Sequence, residues 1–302
     1  MQPSQNDVSA ILWVLLSTFL WTVIFAAGKL ADGAVGSFQL TFLRYCGALI
    51  ALIALLPSQG GIRAHGSKQP WSHLARAVCG CGAAVAITWA SANMPLIDAT
   101  AIGMLYGVLA TLLGTLVLKE SVGRTRWFAI VVALLGVTAV MASKGAFSTG
   151  FVIVPAIVAF ASAVFFAAEG LLIAVLGRSE RAFTVMLYVT VFGLLLMLLP
   201  AVLEWRSISL GTGLACLLSG PLGLVAQYCT IRGYRSAPLS IVAPVDYAWL
   251  PFSALLGVVV FDEIPSAGTG LGCMAIVLGG VLLACSGGRK PETANASRSA
   301  DS

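Results

Sequence analysis

The segments Met94-Pro95-Leu96-Ile97-Asp98-Ala99-Thr100-Ala101 and Ala237-Pro238-Leu239-Ser240-Ile241-Val242-Ala243-Pro244 occupy the same place in two halves of the chain. Pro95 and Pro238 differ by 238 − 95 = 143 positions. That offset also pairs Pro57 with Pro200, Glu120 with Glu263, Thr41 with Thr184, Tyr45 with Tyr188, Leu96 with Leu239, Gly114 with Gly257 and Gly136 with Gly279. Phe25-Ala26-Ala27 matches Phe166-Ala167-Ala168 at a slightly smaller offset, 166 − 25 = 141. We read residues 8–143 and 150–287 as two copies of one unit, followed by a polar, disordered tail over 288–302.

Each unit is a run of apolar blocks of the length that spans a bilayer, about 20 residues at 1.5 Å rise. The blocks fall near 10–30, 37–57, 72–92, 97–118, 125–142, 151–176, 182–203, 208–229, 238–260 and 267–286. Of the 302 residues 59% are hydrophobic and 10% charged, against about 25% charged in a soluble domain. The fold class expected is an all-α polytopic membrane protein, its ten transmembrane helices forming two inverted five-helix repeats. Met1 to Asp7 carries no Lys or Arg, so the first block is read as a retained span and not a secretory signal.

Loop charge sets the orientation, because Lys and Arg stay on the cytoplasmic side. With the N-terminus inside, the inner segments hold Arg63, Lys68, Arg76, Lys119, Arg124, Arg126, Arg178, Arg181, Arg232, Arg235, Arg289, Lys290 and Arg298. The outer loops hold only Lys29, Lys144 and Arg206. Both termini are thus expected in the cytoplasm. A five-span unit used twice must enter the membrane in opposite senses. Glu120 in its basic surroundings and Glu263 in Phe261-Asp262-Glu263-Ile264-Pro265 carry the opposite charge bias this requires. Inverted repeats of this kind suit alternating access.

A charge at the bilayer centre costs about 2.5–3.5 kcal/mol on insertion scales, so it usually faces a cavity or a partner. Arg44, Glu169 and Asp246 are the ionisable residues read as lying within spans. Asp246 and Glu169 fall at similar depth and are expected to form the charged part of a substrate or coupling site, where a carboxylate can exchange a proton for a cationic or amino-bearing substrate. Protons are thus the coupling ion considered. Arg44 reads either as a snorkelling anchor or as a substrate ligand. Pro244 and Pro251 are read as helix-kinking residues inside the ninth span, because proline removes a backbone hydrogen bond. Tyr247, Trp249, Tyr106, Trp89 and Trp21 are candidate cavity walls, with Tyr228 beside them; the alternative is an interfacial belt. Glu120 and Glu263 are read as structural, each at the start of the helix that follows it. Gly268, Gly272, Gly80, Gly82 and Gly114 are read as close-packing positions.

The remaining features exclude several classes. Seven cysteines fall in apolar segments, and no Cys/His set has metal-ligand spacing, so no metal site is expected. His65 and His73 are read as solvated loop histidines. No P-loop, dinucleotide fingerprint or nucleophile elbow occurs in a strand–turn–helix context. The expectation is a non-enzyme with no cofactor. A net charge of +5 is accounted for by the loops and gives no sign of nucleic-acid binding.

The segments quoted at the outset, with Leu118-Lys119-Glu120 and the run Val245-Asp246-Tyr247 through Phe261-Asp262-Glu263, resemble the drug/metabolite transporter superfamily in its EamA-type, ten-span branch. Gly107 stands where many members have a proline. The resemblance implies a secondary transporter of the inner membrane, embedded in the lipid bilayer and moving a small polar or amphipathic molecule. Export of an amino-acid-derived metabolite or opine-type metallophore is the leading expectation. Import of riboflavin or S-adenosylmethionine is the alternative, and a membrane sensor or scaffold the alternative of another class. Substrate, direction and oligomeric state are left open by the sequence.

Overall fold

The computed structural model describes residues 5–31, 34–109, 124–143, 153–236 and 243–286. Glu120, Gly114, Pro238 and the tail 288–302 lie outside them. Among the described residues the chain forms ten α-helices: α1 (Gln5–Leu30), α2 (Ser37–Leu55), α3 (Pro70–Asn93), α4 (Leu96–Gly103), α5 (Arg124–Ser143), α6 (Ile153–Ser179), α7 (Ala182–Leu203), α8 (Leu210–Ser236), α9 (Trp249–Phe261) and α10 (Ala267–Ser286). Six of the ten expected spans, α1, α2, α3, α6, α7 and α8, are helices long and apolar enough to cross a membrane.

The bundle is apolar outside and partly polar inside. Leu12, Leu16, Ile50, Leu195, Leu199 and Leu218 are exposed, whereas Thr18, Thr22, Thr88, Ser91, Thr100, Ser162 and Ser253 are buried. Several buried hydroxyls return to a carbonyl of their own helix, as Thr18 to Val14 (2.8 Å), Thr22 to Thr18 (2.7 Å) and Thr100 to Leu96 (2.7 Å). That satisfies them without water. The Ser17 hydroxyl instead crosses from α1 to the Ala226 carbonyl of α8 (3.0 Å).

The main helix pairings join the two halves: α1 with α8, α3 with α6, α5 with α10, and α2 with α7 and α8. Small residues set the closest approaches. A Cβ on Gly47 of α2 would fall 1.8 Å from the Leu217 carbonyl oxygen of α8, and one on Gly136 of α5 would fall 2.7 Å from the Gly272 oxygen of α10. Only glycine fits at either crossing. Gly268 packs as closely, against Ser143.

Among the described residues, one segment in each half departs from regular helix next to the other, and the two touch. After Gly103 the helical ladder tightens: Leu105 N–H bonds Ile102 O at 3.1 Å and Gly107 N–H bonds Met104 O at 3.3 Å. In the other half a 3-10 turn over Ala243–Ala248 contains Pro244 and precedes α9. Pro251 was expected to kink the ninth span from within. It stands in the first turn of α9, where its missing N–H has no helical partner to lose, so the irregularity lies before it.

Candidate functional site

The meeting of these irregular segments builds a continuous aromatic run. Trp21 and Phe25 stand one turn apart on α1 with rings stacked at 5.9 Å. Phe25 stacks on Trp249 at 5.4 Å, and the Trp249 ring meets Phe166 of α6 edge-on at 6.1 Å. Phe166 lies 6.3 Å from Tyr106, whose hydroxyl donates to Asp246 Oδ2 at 3.1 Å. A Cβ on Gly107 would come within 2.8 Å of the Tyr247 hydroxyl, so the two segments cross in close contact. The indole N–H of Trp249 is buried and has no hydrogen-bond partner. A buried unpaired donor is costly, and here it lies within the aromatic run.

Of the predicted wall residues, Trp21, Tyr106, Tyr247 and Trp249 come together with Asp246. Trp89 lies elsewhere, in a polar cavity of about 290 Å³ with Asn93, Glu204 and Arg206 between the α2 N-terminus and the α7–α8 connection. Tyr228 is exposed and meets Trp13 edge-on. Phe25 and Phe166 were not singled out as wall residues. The signal was present, since these are the positions at which the two first spans align.

Glu169 faces Arg76 instead of Asp246, with Oε1 3.6 Å from Arg76 Nη2. Arg76, counted among the inner-side charges, is buried in α3 and also donates to the Val185 carbonyl at 3.2 Å. Gly80 makes room for the carboxylate: a Cβ there would be 3.0 Å from Glu169 Oε1. Arg44 is 6% exposed, which rules out an interfacial snorkel. Its guanidinium lies 5.8 Å from the Tyr45 ring centroid, and its Nη1 has no hydrogen-bond partner. Asp98, a second charged group not singled out, is buried in α4 and accepts from the Thr269 hydroxyl at 3.4 Å.

His65 and His73 correct the expectation of solvated loop residues. Both are buried. The α2–α3 connection folds back under the bundle, so that His65 Nδ1 meets the Thr184 hydroxyl at 2.9 Å. His73 stacks on Tyr188 at 4.5 Å and contacts the Ser67 hydroxyl at 3.1 Å, beside Glu180.

At the opposite end the Glu263 carboxylate binds two partners. One carboxylate oxygen pairs with Lys29, and the other accepts the Leu96 N–H at 3.0 Å. Lys29 also donates to the Met94 carbonyl at 3.0 Å and lies over the Phe261 ring. Asp262 makes this possible by adopting a left-handed conformation (φ 54°) at the end of α9, where Glu263 N–H bonds Gly257 O at 2.9 Å. Glu263 therefore caps the N-terminus of α4, where a negative charge suits the helix dipole, and not the helix that follows it.

The match to known proteins is of the same extent as the bundle. The EamA-like transporter family model matches residues 8–142 and again 153–285. A riboflavin transporter of Vibrio cholerae serotype O1 is 25% identical over 286 residues, 92% of this chain and 93% of that one. A pseudopaline exporter of Pseudomonas aeruginosa is 28% identical over 284 residues, 91% of this chain and 95% of that one. A riboflavin transporter of Rhizobium johnstonii is 28% identical over 288 residues, 92% and 91% of the two chains. A crystal structure of a protein 22% identical covers 93% of this chain with a TM-score of 0.62, which shows a shared fold. An aromatic site at the crossing of two irregular helices, inside a bundle apolar on its outer face, is thus carried by a multi-pass membrane transporter of metabolites and not by an enzyme: the chain belongs to the EamA-like transporter family.

Proposed function

We propose that this protein is a secondary transporter that exports a small amphipathic, amino-acid-derived or opine-type metabolite across the inner membrane by alternating access. The observation that carries the reading is the buried, unpartnered Trp249 N–H in the aromatic run between Tyr106 and Phe25. A ligand that stacks there and accepts from the indole removes a standing desolvation cost. Interrupted helices next to a binding site are how transporters expose backbone groups to a solute. The residues proposed for the site are Trp21, Tyr106, Asp246, Tyr247 and Trp249, joined by Phe25 and Phe166. Arg44 and Glu169 lie beside them, and Trp89 lines the separate polar cavity as a vestibule. Asp246 is the proposed site of proton coupling.

Alternating access requires two interconvertible halves. Several observations support two inverted repeats over 8–143 and 150–287. The irregular segments fall at positions the sequence offset pairs, since Gly103 and Met104 match Asp246 and Tyr247. The pairing of α1 with α8 has its counterpart in that of α6 with α3. The loop charges support cytoplasmic termini. The likeness to a pseudopaline exporter supports export. A second reading, uptake of riboflavin, is favoured by the parallel stack of Trp21, Phe25 and Trp249 and by the two relatives of that name.

The test is uptake of labelled riboflavin and of a labelled opine-type metallophore into inside-out and right-side-out vesicles under an imposed proton gradient. Accumulation of the metallophore in inside-out vesicles is expected. Accumulation of riboflavin in right-side-out vesicles selects the second reading. If neither label moves beyond vesicles lacking the protein, both readings are lost.

A further inference from the structure

We propose that the transported molecule bears a carboxylate and that Arg44 binds it, while the ring of the same molecule packs against Phe166 and Trp249. The inference rests on the aromatic run being the substrate site and adds to it the charge and shape of what binds.

The electrostatics around Arg44 are unbalanced. Two guanidiniums, Arg44 on α2 and Arg76 on α3, lie within the field of one carboxylate, Glu169 on α6. That carboxylate is already engaged by Arg76 at 3.6 Å. The other helices packed on α2 add no formal charge: α7 has no Asp, Glu, Lys, Arg or His between Ala182 and Leu203, and α8 has none before Arg232. Glu180 is taken up at the end of α6 by Ser67 and His73. Arg44 is 6% exposed and its Nη1 lacks any hydrogen-bond partner. The cation–π contact with Tyr45, at 5.8 Å, is a weak substitute for an anion. An uncompensated buried guanidinium is strongly unfavourable, and the group that complements its planar fork is a carboxylate held by two parallel hydrogen bonds.

Helix α6 links Arg44 to the aromatic run. Glu169 and Phe166 are three residues apart on α6, so they share a face with Cβ atoms about 5–6 Å apart. Phe166 meets both Trp249 and Tyr106. The carboxylate that Arg44 and Arg76 share is therefore one helical turn from Phe166. A planar ring with a carboxylate on a short arm spans both. Trp249 N–H and Arg44 Nη1 are then two unpaired donors that one ligand satisfies.

The test uses a pair of probes that differ only in the charged group: 2-naphthylacetate and its amide, 2-naphthylacetamide. Each is titrated calorimetrically into the full chain in lipid nanodiscs. Wild-type protein should bind the acid about tenfold or more tightly than the amide, the effect of a charge-assisted hydrogen bond. Arg44→Gln should bring that ratio close to one without weakening the amide. Arg44→Lys, which keeps the charge and is less disruptive to folding, should leave an intermediate ratio. Phe25→Ala, which loosens the stacking surface behind Trp249, should weaken both probes and leave the ratio unchanged. Equal binding of acid and amide by the wild type overturns the proposal, as does failure of both to bind. A ratio that survives in Arg44→Gln overturns it too, by assigning the carboxylate to another residue. The vesicle uptake described above is scored independently, so a transporter that moves its labelled solute yet shows no preference for the acid leaves the export reading intact and removes only this one.

Discussion

Tyr106 and Asp246 are joined by a 3.1 Å hydrogen bond that runs from the interrupted end of α4 to the 3-10 turn before α9. Each belongs to a different half of the chain. The bond therefore closes the seam between the halves at the point where both backbones depart from regular helix. Asp246 is the residue proposed above for proton coupling. When Asp246 is neutral the phenol loses a charged acceptor, and the contact between the two segments weakens.

Asp246→Asn keeps the shape of the side chain and removes its charge. It should preserve folding and membrane insertion, abolish accumulation driven by a pH gradient, and spare exchange of labelled for unlabelled substrate. Tyr106→Phe should weaken the same seam by about 1.5–3 kcal/mol, the range for a hydrogen bond to a charged group, and leave proton coupling in place. Vesicle flux with and without a gradient separates the two. Accumulation of wild-type size and pH dependence in Asp246→Asn removes Asp246 from the coupling step.

The pair of Lys29 and Glu263 is expected to stabilise the state seen here. Its side chains are 13% and 22% exposed, between an exposed pair worth about 0–1 kcal/mol and a buried pair whose disruption costs about 3–5 kcal/mol. A double-mutant cycle with Lys29→Met and Glu263→Gln, read by unfolding in mixed micelles, should give a coupling of about 1–2 kcal/mol. Cysteine labelling at Asn93 should also become faster in Glu263→Gln, because α4 loses its cap. A coupling near zero with unchanged labelling removes the pair as a stabiliser of this state.

How much of this was legible in the sequence depends on what hydropathy measures. It located the helices closely: the span placed at 182–203 is α7, and that at 267–286 is α10. It could not tell which face of a helix is covered. Arg76 was counted with the inner-side charges although it falls near the start of the span placed at 72–92, and α3, which begins at Pro70, carries it into the bundle. His65 and His73 read as solvated for the same reason, since composition does not reveal that the α2–α3 connection folds back onto α7. Phe25 and Phe166 show the opposite case. Their pairing was visible in the repeat, but their convergence on Trp249 depends on how the two halves pack.

Topology has a direct check. A reporter fused after Ser302 should score as cytoplasmic, and a single cysteine at Ser148 should label from the outer face. Labelling of both positions from one side rules out ten spans with inverted halves.

Gly107→Ala tests the crossing of the two irregular segments. The added methyl would lie 2.8 Å from the Tyr247 hydroxyl, closer than side-chain carbons come to oxygen, and 3.7 Å from the ring carbon behind it. Tyr247 is buried, so its oxygen has little room to retreat, and overpacking of this kind costs about 1–3 kcal/mol. Tyr247→Phe removes the oxygen and leaves the ring. The single variant Gly107→Ala should therefore lower the melting temperature of the detergent-solubilised protein, and the double variant should recover most of the loss relative to Tyr247→Phe alone. Transport should follow stability if the crossing only holds the bundle together. If it is part of the moving seam, Gly107→Ala should depress flux more than its change in stability accounts for, because the methyl obstructs the path α4 takes past the turn before α9. A Gly107→Ala variant with unchanged melting and unchanged flux would show that the two segments do not meet as described.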